Sequence, residues 1–295
     1  MAKKFGNNYI TLSVKSFKKN TIEEDFFLND YKKSIDKMRW SYSRLTSFEH
    51  CKYEFYLNYI INDDSIYLSE GNFYAEVGIF VHEILAKIFN GELTPDEASQ
   101  YYIDNFEKNI FYKVKKSTME KSFELCADYF ANMDFTWLKN YEILGVELEV
   151  EFKIDKYNFV GYIDLLLKDK RDGKIVILDH KSAPYPLKLD GTVKKNSQAS
   201  FEMYKKQMYL YSYAVKENYG EFPKEIIWNH FKSEGKLVKI PFIESEYDKA
   251  VNWLIDTIHT IEKEKDFNPN LDYFYCTNLC NFRNCCEYCK DSDWR

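Results

Sequence analysis

Hydrophobic residues in the first half of the chain recur at the three- and four-residue spacing of amphipathic helices. One such stripe runs from residue 43 to about residue 62, where Ser41 or Ser43 is placed to cap the helix start. A second stripe covers residues 73–89. Similar patterns continue to about residue 141, so the sequence predicts that much of residues 1–141 is helical.

Beyond residue 141 the pattern shortens to the alternation typical of β-strands. Strands are predicted at residues 146–154, 159–167 and 174–179. The remaining predicted elements, in chain order, are a helix at 201–219, strands at 225–231 and 236–240, and a helix at 245–265. This order, helices first and then strands interleaved with helices, predicts an α/β core with a helical front end.

The same pattern divides the chain into three predicted parts. Residues 1–38 are polar and are expected to form an N-terminal arm, and residues 272–295 form a cysteine-rich tail. Between them, residues 39–271 are expected to fold as one domain, with the helical front end at 39–141 and the α/β core at 142–271.

Composition places the chain among folded proteins. Hydrophobic residues make up 45% of the 295 positions and aromatic residues 18%, which excludes a disordered chain. No run of about 18 apolar residues is present, and the amino-terminal residues lack the apolar stretch of a signal peptide, so we expect an intracellular protein without membrane spans. A net charge of −6 argues against a general nucleic-acid coat, but not against an enzyme with a local basic groove.

Two acidic residues and a lysine lie on a predicted hairpin in the α/β core. The dipeptide at 172–173, Asp-Gly, is a signal for a two-residue turn. With that turn at the centre, Asp164 faces Lys181, and Asp179 faces Leu166. Because residues of like parity share a face of a strand, Asp164, Asp179 and Lys181 should project from the same face of the hairpin.

Such a cluster favours metal-assisted chemistry over incidental surface charge. The run Ile-Val-Ile-Leu at 175–178 indicates a strand buried on both faces, and charges that end a buried strand need a partner. Two carboxylates repel each other unless a cation lies between them, and oxygen ligands suit Mg²⁺ or Mn²⁺. A bound metal activates water and neutralises phosphate charge, and a lysine can orient that water, which are the requirements of phosphodiester hydrolysis.

The seven cysteines are distributed unevenly. Five of them lie between residues 276 and 289, and the other two are Cys51 and Cys126. In a reducing compartment a cluster of this kind binds metal more often than it forms disulfides. Four thiolates hold either an iron–sulfur cluster or Zn²⁺, so spacing alone leaves both metals open.

The hairpin motif, Gly161-x-x-Asp164 followed by Asp179-x-Lys181, resembles the PD-(D/E)XK nuclease superfamily. More specifically, it is similar to the RecB/AddB-type nucleases and to CRISPR-associated RecB-like exonucleases, found in bacteria and phages. The resemblance implies a restriction-endonuclease-like core, in which helices flank a central mixed sheet, so that residues 39–271 would be a nuclease domain.

Two further motifs match that subgroup. Gly78-x-x-x-His82 lies on a predicted helix, and the resemblance implies that His82 is a metal ligand with Asp164 and Asp179. Gln207-x-x-x-Tyr211 would place both side chains near the active site. The further roles implied are a fourth metal ligand from the carbonyl of His180, help to the attacking water from Lys181, and positioning of substrate or lysine by Gln207 and Tyr211.

The cysteines resemble those of the iron–sulfur members of the subgroup. Those members clamp the C-terminal tail to an N-terminal helix through four thiolates on a [4Fe–4S] cluster, here implied to be Cys51, Cys276, Cys280 and Cys286. The first gap in the tail is three residues where two is usual. Cys280-x4-Cys285 and Cys286-x2-Cys289 are alternative registers, and Zn²⁺ is the alternative metal.

The loop at 184–199 leaves the predicted site directly and is long for a connection, which makes it a candidate for substrate contact. Basic residues in and beside this loop are predicted to contact DNA phosphates, either on single strands or at duplex ends. They are Lys188, Lys194, Lys195 and Lys205.

The sequence thus favours a metal-dependent DNA nuclease, an exonuclease by resemblance, acting in the cytoplasm of a bacterium or a phage-infected host. One alternative is a nuclease-fold module for DNA binding or assembly, with a protein partner in recombination, spacer acquisition or phage counter-defence. Another is a zinc-ribbon nucleic-acid binder with incidental acidic residues. No phosphate-binding loop of the helicase type is present in the sequence.

Overall fold

The computed structural model describes residues 31–61 and 71–290. The chain divides into two compact units, residues 1–37 and 38–295. In the first unit only a helical segment at 31–36 is described, so most of the predicted N-terminal arm lies outside the described residues. None of the helices in the described part of the chain is long and apolar enough to cross a membrane.

A mixed five-stranded sheet forms the centre of the second unit, with the strands side by side in chain order. The strands are β1 (Tyr141–Ile154), β2 (Tyr157–Asp169), β3 (Ile175–Lys181), β4 (Glu225–His230) and β5 (Lys236–Pro241). Strands β3 and β4 run parallel, and every other neighbouring pair is antiparallel. A parallel pair requires a crossover, which here contains the longest helix of the described chain.

Helices precede, cross and follow the sheet. The helices are α1 (Tyr42–His50), α2 (Lys52–Tyr56), α3 (Phe73–Phe89), α4 (Pro95–Asn109), α5 (Lys116–Asn132), α6 (Gln198–Tyr219), α7 (Glu244–Lys263), α8 (Tyr273–Asn278) and α9 (Glu287–Lys290). The fold is therefore the predicted one, a mixed sheet flanked by helices with a helical front end and a cysteine-rich tail.

The first predicted helix is interrupted at Cys51. Ser41 caps the start of α1 by accepting a hydrogen bond from the backbone N–H of Arg44 at 3.2 Å. At Cys51 the backbone is extended, with φ −156° and ψ 111°, and α2 then begins at Lys52. The break falls at Cys51, which packs with cysteines of the C-terminal tail.

The strands that carry the candidate site are buried. All residues of β3 except Lys181 are buried, as are Leu165, Leu166 and Leu167 of β2. Burying such a side chain contributes about 1.5–3 kcal/mol, so this pair of strands is a rigid base for the charged residues at its end.

The hairpin between β2 and β3 differs from the predicted one. Leu165 pairs with Leu178, and Lys168 with Ile175, so the register is shifted by two residues from the pairing of Asp164 with Lys181. The predicted two-residue turn at Asp-Gly is therefore wrong. An even shift keeps every side chain on its predicted face, because side chains alternate with a period of two.

A four-residue loop replaces the predicted turn. The Gly173 N–H donates to the carbonyl of Asp169 at 2.7 Å, with Gly173 at φ 73°. A two-residue type I′ turn needs positive φ at both central positions, and Asp172 does not have it. The buried Asp169 carboxylate accepts from the backbone N–H of Arg171 at 3.0 Å and from Lys224 Nζ at 2.5 Å, which favours the wider loop.

We expect Asp169→Ala to destabilise the protein by about 1–3 kcal/mol, because two cations lose a buried acceptor. Hydrogen bonds from Arg171 and then Lys224 hold the pKa of Asp169 below its ordinary value. A carboxyl whose folded-state pKa is depressed stabilises above its unfolded pKa and loses that effect as the pH falls through the folded value. Urea unfolding at pH 7 and pH 3 should therefore show a smaller difference from wild type at pH 3.

The exposed Asp248→Ala, on α7, is the matched control and should show little change at either pH. An Asp169→Ala variant as stable as wild type at pH 7 would contradict this role.

Candidate active site

Strand β3 presents Asp179 and Lys181 on one face of the sheet. Lys181 Nζ lies 2.8 Å from Asp179 Oδ2 and donates to Gln207 Oε1 of α6 at 2.9 Å. Burial favours the neutral amine, but Asp179 and then Asp164 outweigh it and raise the pKa of Lys181. The lysine is therefore a charged ammonium held in a defined position.

Three further side chains converge beside this pair. His82 of α3, Glu147 of β1 and Asp164 of β2 each offer a ligand atom, and these atoms lie within 4.8 Å of one another. His82 Nδ1 is 3.5 Å from Asp164 Oδ2 and 3.6 Å from Glu147 Oε1. We call these three residues the acidic pocket.

The backbone of His180 contacts two residues of the acidic pocket, Asp164 and His82. Its N–H donates to Asp164 Oδ2 at 2.6 Å, and its carbonyl oxygen lies 3.1 Å from His82 Nε2. A carbonyl oxygen only accepts hydrogen bonds, so Nε2 carries a proton and Nδ1 faces the two carboxylates. The predicted ligand atom of His180 is thus at the pocket, with one lone pair used by His82.

The side chain of His180 lies on the opposite face of β3. Asn229 Nδ2 donates to His180 Nδ1 at 2.9 Å, and the ring stacks on Phe89 with centroids 5.8 Å apart. Burial lowers the pKa of His180, so the imidazole is neutral. This histidine contributes its backbone N–H and carbonyl to the pocket, and its ring contacts the His82 ring edge-on with centroids 5.6 Å apart.

The electrostatics of the acidic pocket favour a bound cation. Burial and then repulsion by Asp179 raise the pKa of Asp164. Burial disfavours protonated His82, but Asp164 and Glu147 outweigh it and raise the pKa of His82. Asp179 Oδ2, though paired with Lys181, accepts no well-formed hydrogen bond within the described residues. Carboxylate oxygens and one imidazole nitrogen fit a divalent metal ion.

Side chains of helix α6 contact the Lys181 ammonium and hold it in place. Gln207 bonds the ammonium and also hydrogen-bonds Tyr211, while the ring of Tyr204 lies 4.7 Å from Nζ. Tyr211 packs against Gly161, where an added Cβ would meet the tyrosine ring at 2.3 Å. The glycine of the hairpin motif is therefore required for close approach of Tyr211.

Sequence reasoning missed Glu147. This residue has φ 46°, and the β1–β2 ladder skips it between the pairs Val146–Leu165 and Leu148–Ile163. Strict strand alternation places Glu147 with Glu149 and Glu151, which both pair with Arg39. Because a single strained residue turns Glu147 into the pocket, the alternating glutamates gave no signal of it.

The four predicted substrate-contact lysines differ in their surroundings. Lys205 is paired with Glu202 at 2.8 Å and Glu246 at 3.2 Å, and Lys194 donates to the carbonyl of Tyr185 at 2.7 Å. Lys188 and Lys195 are exposed. Of the four, these two are the more accessible to a phosphate backbone.

The four cysteines that were predicted to bind a metal cluster lie close together, with residues of α2 and the C-terminal tail around them. Cys51, Cys276, Cys280 and Cys286 are all buried in one cluster, and Cys289 lies in it with them. Cys285 packs at its edge, where its thiol donates to the carbonyl of Phe282 at 3.6 Å. None of the seven cysteines, all of them within the described residues, forms a disulfide, so thiolate ligation of a metal is chemically open.

A family model for the PD-(D/E)XK nuclease superfamily matches residues 39–287. The chain therefore belongs to the PD-(D/E)XK nuclease superfamily, whose members are hydrolases that act on phosphodiester bonds with divalent metal ions. No curated protein matches the chain in sequence.

Solved structures with similar folds share little sequence with the chain. One is the crystal structure of a candidate exonuclease from Eubacterium rectale, with 15% identity, a TM-score of 0.48 and 93% of each chain covered. Another is the crystal structure of SSO0001, with 13% identity, a TM-score of 0.33, and 91% of this chain and 97% of that chain covered.

The two motif glycines should respond oppositely to alanine. Gly161→Ala forces the added Cβ against Tyr211 and should cost about 1–3 kcal/mol of stability. Gly78 lies within α3, where nothing is within 4 Å of an added Cβ, so Gly78→Ala should gain about 0.5–1 kcal/mol. Thermal unfolding of both variants measures this difference. Equal effects of the two substitutions would show that Tyr211 does not need the space at Gly161.

Proposed function

We propose that the protein is a metal-dependent deoxyribonuclease that acts on DNA ends or single strands. The observation that carries this proposal is the charged Lys181 ammonium, fixed between Asp179 and Gln207 beside the acidic pocket. A buried lysine that is held in one position can be aligned with a single reacting group, whereas a mobile surface lysine samples many positions.

Five groups of this chain would hold the cation, which we propose to be Mg²⁺ or Mn²⁺. They are Nδ1 of His82, the carboxylates of Glu147, Asp164 and Asp179, and the carbonyl of His180. When bound, such an ion activates water and neutralises phosphate charge. The carboxylates are hard oxygen donors, which is why these two ions are preferred over softer metals.

The protein's own residues would position the reaction. Lys181 donates a hydrogen bond towards the attacking water or the developing phosphate charge, since its ammonium has three donors and Asp179 and Gln207 use two of them. Gln207 restricts the ammonium, and Tyr211 restricts Gln207 in turn. Preorganised donors of this kind stabilise charge that develops in the transition state.

DNA is the proposed substrate because the pocket opens to a cleft and the loop after β3 carries exposed lysines. Gly78 and Ile79 line a cleft with His82 and Glu147, and Ile79 is 60% exposed. Lys188 and Lys195 add exposed positive charge on the loop that follows β3. Phosphate contacts of this kind supply affinity without sequence preference, as an end-processing nuclease requires.

We further propose that the chain is a RecB/AddB-type member with a structural [4Fe–4S] cluster, or Zn²⁺ as the alternative, and that it works in the cytoplasm of a bacterial cell or phage-infected host. The buried thiol cluster supports this assignment. The cluster joins the break between α1 and α2 to the tail. A metal bond between segments so far apart in the sequence lowers the conformational entropy of the unfolded chain.

A DNA-binding or assembly module without turnover is the competing function. Such a module has no need of a positioned ammonium, yet the Lys181 contacts are intact within the described residues. No observation therefore favours the module.

Substitution of the reacting pair tests the proposed activity. Asp179→Asn and Lys181→Gln should each lower cleavage of labelled single- and double-stranded DNA by about 100-fold or more in Mn²⁺, because the first neutralises a proposed metal ligand and the second removes a positioned positive charge. Lys188→Gln is the matched control, and it should raise KM with kcat unchanged because it removes only a phosphate contact.

Circular dichroism and thermal unfolding would show whether each variant keeps the wild-type fold. Turnover that survives in both Asp179→Asn and Lys181→Gln would contradict the assignment, as would a wild-type chain that binds DNA without cleaving it.

A further inference from the structure

The buried thiol cluster contains one sulfur more than a four-thiolate metal centre uses. Five cysteines line a single interior pocket between α2 and the tail. They are Cys51, Cys276, Cys280, Cys286 and Cys289. Each of these five side chains is at most 8% exposed. Cys285 does not line the pocket. A [4Fe–4S] cluster and a structural Zn²⁺ site each take four thiolates.

Two of the five sulfurs accept backbone hydrogen bonds, and a third comes from a separate element of the fold. Cys280 Sγ accepts the backbone N–H of Phe282 at 3.4 Å, and Cys286 Sγ accepts backbone N–H groups that follow it in the chain. Such bonds stabilise a thiolate, because they place positive dipoles at the sulfur. Cys51 comes from the opposite wall, and it is the one ligand candidate that the helical front supplies.

The remaining two sulfurs, those of Cys276 and Cys289, contact each other. The thiol of Cys289 is in hydrogen-bonding contact with that of Cys276, and it also contacts Cys286. The Cys276 thiol donates to the carbonyl of Asn270 at 3.6 Å. A four-thiolate centre that already takes Cys51, Cys280 and Cys286 needs only one of these two sulfurs.

The same two sulfurs face a surface groove. Cys276 and Cys289 line it together with Lys113, Asn278 and Arg283, and none of the other three pocket cysteines does. The side of the pocket that these two cysteines line is therefore the side that reagents reach first.

We propose that Cys51, Cys280 and Cys286 are fixed ligands of the metal centre and that Cys276 and Cys289 are interchangeable at its fourth position. This inference rests on the metal centre of the proposed function. Exchange between them is a ligand substitution without oxidation or reduction: one metal–sulfur bond breaks, another forms, and a proton passes from the incoming thiol to the outgoing thiolate. The exchange would let the centre keep four ligands when one of the two sulfurs is modified.

Serine variants purified without oxygen test the exchange by metal content. Cys276→Ser and Cys289→Ser should each keep wild-type metal, which for a [4Fe–4S] cluster is about four iron atoms per chain. The double variant Cys276→Ser/Cys289→Ser should lose more than about nine-tenths of the metal, as should Cys51→Ser alone, because only three thiolates remain. Cys285→Ser is the matched control and should keep its metal.

Loss of the metal from Cys276→Ser alone, or from Cys289→Ser alone, would overturn the exchange. A double variant that keeps its metal would also overturn it. A colourless chain with zinc that follows the same pattern would support the exchange and assign the metal as Zn²⁺.

A second measurement on the wild-type chain does not depend on the folding of any variant. Native treatment of the metal-loaded protein with iodoacetamide, followed by peptide mass spectrometry, should find label divided between Cys276 and Cys289. The two sites together should carry about one label per chain, because four of the five sulfurs stay bound to metal. Label confined to one of the two cysteines would contradict the exchange.

The outcome is separable from that of the proposed nuclease activity. Metal content and labelling report on the thiols alone, and DNA cleavage reports on the acidic pocket. A chain that carries the metal but does not cleave DNA would refute the activity and leave the exchange standing. A wild-type chain with neither iron nor zinc would refute the exchange, whatever its activity.

Discussion

The organising constraint in this protein is negative charge that is buried at the end of an apolar hairpin. Strands β2 and β3 are packed on both faces, and each carries an aspartate where its apolar run stops. Burying a carboxylate is costly unless a cation or hydrogen bonds compensate it. The compensation comes from Lys181, from the N–H of His180 and from the imidazole of His82. These partners leave an excess of acid, which a divalent ion would balance.

The same constraint explains why distant elements meet here. Helix α3 brings His82, the crossover helix α6 brings Gln207 beneath the lysine, and a strained position in β1 brings Glu147. Strain at a non-glycine residue costs about 1–3 kcal/mol and persists where surrounding structure enforces it. A third carboxylate adds negative charge to an already acidic pocket, which fits the cation site that we propose.

Much of the fold followed from the sequence because hydrophobic periodicity is local. The stripe on α3 and the apolar run of β3 gave element types correctly. The register of the hairpin did not follow, because the side chain of Asp169 determines the loop and its cation Lys224 is distant in sequence. The predicted shared face survived because the error was an even number of residues.

Site residues could be predicted where a family motif fixes their spacing in the sequence. They could not be predicted where three-dimensional packing determines which side chain enters the site. Glu147 depends on one left-handed backbone angle, and the sequence left open whether Cys289 is a ligand, which the buried thiol cluster now includes with the predicted four. Neither has a periodic signal. The interruption of the first helix at Cys51 is similar, since the residues that follow it contact a tail far along the chain.

Binding of Mn²⁺ to the metal-depleted active site, measured by isothermal titration calorimetry, tests the buried-charge interpretation most directly. Wild type should bind the ion at the acidic pocket, and Glu147→Gln should weaken that binding by about 10-fold or more, because one charged ligand becomes neutral. Glu149→Gln changes the same strand outside the pocket and should bind as wild type does. Equal affinity of wild type and Glu147→Gln would contradict the interpretation.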